Sequence, residues 1–95
     1  MRIALKFKAP FRVALELEYM DIDIPKGSTI RDMVGILLEK PDIRESLIKH
    51  RLLIEDNLPA IYVMNKHING GMIVREDRIL EESDVLTILG VYIGG

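Results

Sequence analysis

The chain has 95 residues, 48% of them hydrophobic and 29% charged, with a formal net charge of −2. That length supports one domain with one core, able to bury about 60–65% of its unfolded surface. The slight acidity gives no basic field to hold a nucleic acid, and the absence of cysteine excludes disulfides, thiolate metal ligands and cysteine nucleophiles within the chain.

Taken in chain order, "RIALKFK" alternates, with Ile3, Leu5 and Phe7 on one face and Arg2, Lys6 and Lys8 on the other. This is the pattern of a half-buried strand. The same charges interrupt any signal-peptide pattern, and no apolar run approaches a membrane span. No membrane partner is expected, and the location expected is the cytoplasm. "APFR" reads as a turn at Pro10. A second alternating run, "ALELEYMDIDIP", follows. Leu15, Leu17 and Tyr19 share a face, then Ile22 and Ile24 take over one residue out of phase. A β-bulge near Tyr19–Met20 would account for the slip.

"KGSTIRDMVGILLEKPD" predicts the main helix. Ile30, Met33, Val34, Leu37 and Leu38 follow the spacing of one helical face. Thr29 is the expected N-cap, Asp32 the acidic partner three residues on, and Pro41 the stop. "DIRESLIKHRLLI" predicts a short second helix capped by Asp42, with Ile43, Leu47, Ile48 and Leu52 as its buried stripe. "EDNLP" reads as loop and "AIYVMN" as a strand. Asn69–Gly71 reads as a turn and "MIV" as a short edge strand. The charged connection "REDRILEESD" is expected to anchor through Ile79 and Leu80. "VLTILGV" is apolar on both faces and therefore central in a sheet. A central strand arriving this late must pair beside the first one. The whole is an α+β roll, one sheet over one main helix. The domain is expected over residues 1–89, loosening at Gly90, with 90–95 a flexible Gly-Gly tail.

Gly94 and Gly95 have no Cβ, so the tail is thin, and it reaches roughly 13–20 Å. Its one reactive group is the α-carboxylate of Gly95, an anion at neutral pH. A carboxylate acylates poorly until it is adenylated, which calls for an ATP-using partner. A frayed end is the competing account. His50 and His67 stand alone and read as surface or packed histidines, so no metal site is expected. Ser28 and Ser83 suit caps and turns. Met33 and Met64 suit the core.

The tail "ESDVLTILGVYIGG" is similar to the end of the small sulfur-carrier subunit of molybdopterin synthase (MoaD) and of its thiazole-pathway relative ThiS. "IPKGSTIRDMVGILLEK" resembles that family's helix entry. "PDIRESLI" resembles the second helix of its longer members, and "IYVMNKHI" its third strand and turn. "KAPFR" resembles the segment after its first strand. Glu82-Ser83-Asp84 stands where the family commonly has Asp-Gly-Asp.

The resemblance implies the β-grasp, ubiquitin-like strand order and a carrier rather than an enzyme. An adenylating enzyme of the ubiquitin-activating type would use ATP and Mg²⁺ on the Gly95 carboxylate, next to Gly94. A sulfurtransferase persulfide would leave a thiocarboxylate, and the large catalytic subunit of molybdopterin synthase would receive the sulfur. The resemblance places docking on an apolar sheet patch with Ile68 and Leu89, and on the tail residues Val91, Tyr92 and Ile93. Leu89 is read equally as core. No cofactor would be bound by the chain itself. The alternatives are a ubiquitin-like modifier joined to lysines, a carrier for tRNA or thiamine pathways, or a β-grasp interaction module with an inert tail.

Overall fold

The alternation in "RIALKF" becomes strand β1, Arg2–Phe7, in the computed structural model, which describes residues 1–65 and 71–91. Ile3, Leu5 and Phe7 are buried and Lys8 is exposed, as the period of two requires. The next segment departs from expectation. Phe11–Leu15 is a short helix, α1, rather than a turn running into a strand. Its buried residues, Phe11 and Ala14, are three apart, a helical spacing that five residues are too few to display as a period. Glu16, with φ +56, ends it in the left-handed region. Leu17 and Tyr19 are exposed rather than sharing a buried face with Leu15.

Strand β2, Tyr19–Asp23, pairs antiparallel with β1 in unbroken register, from Lys6 opposite Tyr19 to Arg2 opposite Asp23. There is no bulge at Tyr19–Met20. The phase slip marks the change from helix and turn to strand.

Helix α2, Ile30–Leu38, forms as its residues dictate. The Asp32 N–H donates to the Thr29 hydroxyl at 3.1 Å and the Thr29 N–H donates to the Asp32 carboxylate at 3.0 Å, a reciprocal cap. Ile30, Met33, Leu37 and Leu38 are buried against the sheet residues Leu5, Leu86 and Ile88 in one cluster. Pro41 opens the next helix rather than simply ending this one. Helix α3 spans Pro41–Lys49, with Lys40 at the N-cap and Asp42 inside the first turn, not at the cap. The ring's fixed φ suits the first helical position. Ile43 and Leu47 are buried as expected, but Ile48 is 51% exposed. Leu52 is half-buried as expected, and the buried Leu53, not Ile48, joins the stripe.

Strand β3 is Ala60–Asn65 and β4 is Gly71–Val74. Residues 69 and 70 of the expected turn lie outside the described residues. A Cβ on Gly71 would run into the Val63 side chain, so the tight pairing of Gly71 with Asn65 requires glycine. In the connection that follows, Leu80 is the anchor at 2% exposure, its N–H donating to the Ser28 carbonyl, while Ile79 is 59% exposed. Only one of these two adjacent residues can point inward from an extended connection.

Strand β5, Val85–Gly90, is central, parallel to β1 and antiparallel to β3. The order is β2-β1-β5-β3-β4, with β4 at an edge as expected. A mixed five-stranded sheet with its main helix packed on one face is the β-grasp, ubiquitin-like fold. Two further helices, α1 and α3, complete it where one was expected.

Candidate functional site at the root of the tail

The site is the end of β5 and what surrounds it. Parallel pairing carries β1 and β5 to the same end of the sheet. Phe7 lies opposite Ile88, and the Lys8 N–H donates to the Ile88 carbonyl at 2.9 Å. The Gly90 N–H then donates to the Ala9 carbonyl at 3.2 Å. Gly90 is therefore held as the last residue of β5 rather than loosening the chain. A Cβ there would meet the Pro10 ring, so the close approach of loop to strand admits only glycine.

Beside this root lies an apolar groove of about 550 Å³. Pro10, Phe11, Leu52, Ile54 and Pro59 face Leu89, Gly90 and Val91 across it. Among the described residues, Arg51 is its one charged lining residue. Sequence reasoning did not assemble this groove, because its walls come from three distant segments. Exposed Ile54, the last residue of the predicted second helix and outside its expected buried stripe, was the available signal.

The sheet face away from α2 is divided. Towards β2 it is polar: Arg2 pairs with Asp23 at 3.0 Å and the Lys6 ammonium sits 5.5 Å from the Tyr19 ring centre. The hydrogen bond from Arg2 holds the Asp23 carboxyl below the usual range. Towards β4 it is apolar. Ile61 lies opposite Leu89 and Val63 opposite Ile73, with Val85 further along β5. Ile73 is 73% exposed.

Leu89 is half-buried, on this face and on the groove. Val91 is 47% exposed. Ile68, Tyr92, Ile93, Gly94 and Gly95 lie outside the described residues. Among the described residues no cluster of three His, Cys, Asp or Glu side chains could hold a metal, and no helix is long and apolar enough to cross a membrane. His50 turns its Nδ1 to the Ser46 carbonyl at 2.9 Å.

The fold defines the class: a ubiquitin-like β-grasp domain whose last strand, central in the sheet, leads toward a Gly-Gly sequence. Within that class the chain is similar to solved proteins that cover it almost end to end. SAMP1 from Haloferax volcanii superposes with a TM-score of 0.71 at 16% identity, covering 100% of both chains. A protein assigned as subunit 1 of a molybdopterin converting factor, from Pyrococcus furiosus, gives 0.64 at 21% identity, over 95% of this chain and 97% of that one. A chain from the complex of subunits 1 and 2 of the molybdopterin-converting factor of Helicobacter pylori gives 0.57 at 20% identity, over 100% of both. No protein-family model and no curated protein matches the chain. At these identities the likeness is one of fold.

Proposed function

We propose that this chain is a sulfur carrier for molybdopterin-type cofactor synthesis, working through the α-carboxylate of Gly95. The observation that carries the reading is the placement of β5. It pairs on both sides and is pinned at Gly90 to the loop after β1, so the five residues that follow, ending in Gly-Gly, are presented from a fixed root. The likeness to one chain of a two-subunit molybdopterin-converting factor supports the same reading.

The chemistry balances as follows. A Gly95 carboxylate oxygen attacks the α-phosphorus of ATP in the activating partner, and pyrophosphate leaves. A persulfide sulfur from a sulfurtransferase then attacks the acyl carbon, and AMP leaves with the bonding pair. A second thiol cleaves the resulting acyl disulfide, releasing the thiocarboxylate and forming a disulfide on the donor. This chain contributes the acyl group and its presentation, while the acid–base and metal chemistry belongs to the partners. The apolar half of the sheet, with Ile61, Val63, Ile73 and Leu89, is the surface offered to the large subunit, together with Ile68, Val91, Tyr92 and Ile93.

The test is intact-protein mass spectrometry. A natively isolated chain whose mass ends at Gly95 should gain the sulfur-for-oxygen difference on incubation with a cognate activating enzyme, ATP, Mg²⁺ and a persulfide donor. A native chain that continues past Gly95 untrimmed, or no gain beside an active control carrier, overturns the reading.

The likeness to small archaeal modifier protein 1 of H. volcanii favours a second reading, conjugation of the same activated tail to lysines. Arg78 is the last basic residue, so trypsin would leave residues 79–95 on the acceptor lysine. Finding that remnant on other proteins supports the modifier. A chain lacking Gly95 that keeps full cellular function excludes both.

A further inference from the structure

The apolar groove beside β5 has walls that are set before anything enters it. The Gly90 N–H is fastened to the Ala9 carbonyl, which fixes the end of β5 on one side. The segment after α3 is tied down on the other. The Arg51 N–H donates to the Ile48 carbonyl at 3.0 Å and the Leu52 N–H to the Leu47 carbonyl at 2.8 Å. Ile54 and Asn57 exchange two hydrogen bonds, at 2.9 and 2.8 Å, and Asp56 between them pairs with Arg44 of α3. Arg51, Glu55 and Asp56 take φ of +59, +49 and +64. Residues with a Cβ keep such conformations only where their surroundings hold them there. The outcome is a rigid wall that leaves Ile54 57% exposed along the groove.

The charge around the groove is mainly positive, against that of the chain. The whole carries −2, yet Arg51 lines the groove, and Lys8, Arg12 and Lys49, each within two residues of a lining residue, are exposed. The carboxylates nearby in sequence are Glu55 and Asp56, and Asp56 is taken by Arg44. Among the described residues the ion pairs are Arg2–Asp23, Arg31–Glu76 and Arg44–Asp56, so Arg51 has no carboxylate partner there.

A preformed apolar groove of about 550 Å³ with one charged group on its wall has the proportions of a small-molecule site. A guanidinium takes a carboxylate through two parallel hydrogen bonds. An apolar body with a carboxylate at one end is therefore what these walls match.

We propose that the groove is a binding site for a free apolar carboxylic acid of small-molecule size. Its hydrocarbon lies along Phe11, Leu52 and Ile54, against Leu89 and Val91, and its carboxylate pairs with Arg51. Such an occupant contends with any protein that covers Leu89 and Val91. The site is independent of the chemistry at Gly95, so its test and the sulfur-for-oxygen test of the carrier reading succeed or fail separately.

The probe is octanoate, titrated below its micelle concentration into the full chain at neutral pH and followed through the methyl resonances of Leu52, Ile54, Leu89 and Val91 in carbon–proton NMR spectra. These should shift along one saturating curve with a Kd of about 1 mM, in keeping with a ligand of about ten non-hydrogen atoms, while the Ile73 methyls stay in place. Octylammonium, with the same chain and the opposite charge, should bind about tenfold more weakly or worse. Arg51→Gln, with its circular dichroism unchanged, should weaken octanoate by about fivefold without weakening octylammonium, and Arg51→Lys should restore part of the loss. Ile54→Ser should weaken octanoate by about fivefold through lost apolar contact. The proposal is overturned if the groove methyls do not saturate, if octylammonium matches octanoate, or if Arg51→Gln binds octanoate as wild type does. It is equally overturned if the groove responds only in a chain cut after Val91, since the chain's own end is then the occupant. Shifts that follow protein concentration alone, the mark of a second copy, or that appear only with a partner protein overturn it as well.

Discussion

Gly90 illustrates how one missing atom sets the geometry of the site. Its backbone lies so close to the Pro10 ring that a methyl group has no room. Pro10 belongs to the loop that also supplies the carbonyl for the Gly90 N–H. Gly90→Ala should therefore push strand and loop apart, costing about 1–3 kcal/mol as overpacking does, with a lowered urea midpoint at unchanged slope as the measurement. Val91→Ala, one residue on and 47% exposed, should leave the midpoint almost unmoved. Nothing local to "TILGVYIGG" reveals this requirement, because the obstructing ring lies 80 positions earlier. The sequence reads there as a chain coming loose. The structure has the opposite, a last hydrogen bond before the tail. Ser83 is a related case. It takes φ +68 in the turn before β5, a left-handed conformation that favours glycine.

Among the elements, α2 was the most legible and α1 the least. Helix α2 carries its own start signal and a full apolar face, so residues 29–38 suffice to specify it. Its cap also gives a pH dependence. The Thr29 N–H, aided by the Thr29 side chain, holds the Asp32 carboxyl below its ordinary value. A carboxyl lowered on folding binds its proton more readily in the unfolded chain. Its stabilisation is thus complete above the unfolded value, near 4, and is lost as pH falls through the lower, folded value. Asp32→Asn should be less stable than wild type at pH 7 and should lack this component of the acid-side decline, read from denaturant midpoints across pH 2–7. Helix α1 is hidden because "ALELEY" alternates as a strand would, while the residues that decide the matter, Phe11 and Ala14, pack only in the finished fold. β3 and β5 were recoverable because their apolar runs have hard boundaries. The central place of β5 followed from its two-sided apolarity, its pairing beside β1 from its late position in the chain, and the particular strand order from the family resemblance.

At the scale of the molecule, the divided sheet face predicts where a partner lands. The half nearest β4 exposes Ile73 beside Val63 and Ile61, while the half nearest β2 carries its own cation–carboxylate and cation–ring pairs. Ile73→Asp, at an exposed position, should leave stability within about 0.5 kcal/mol of wild type. If the carrier reading holds, it should weaken binding to the large subunit by about tenfold or more, as loss of an interface anchor does. Asp21→Ala on the polar half should leave binding unchanged, and calorimetric titration against the cognate subunit distinguishes the two. Leu89 was read equally as core and as docking patch, and the breadth of the apolar half was not legible, since Ile61 and Ile73 are brought to one face only by β3 and β4 pairing. The parallel seam between β1 and β5 has a further consequence during synthesis. A nascent chain makes β1 long before β5, so one edge of β1 stays unpaired until residues 85–90 have been synthesised. Closure is thus a long-range, late event, and the sheet is completed only when its central strand emerges.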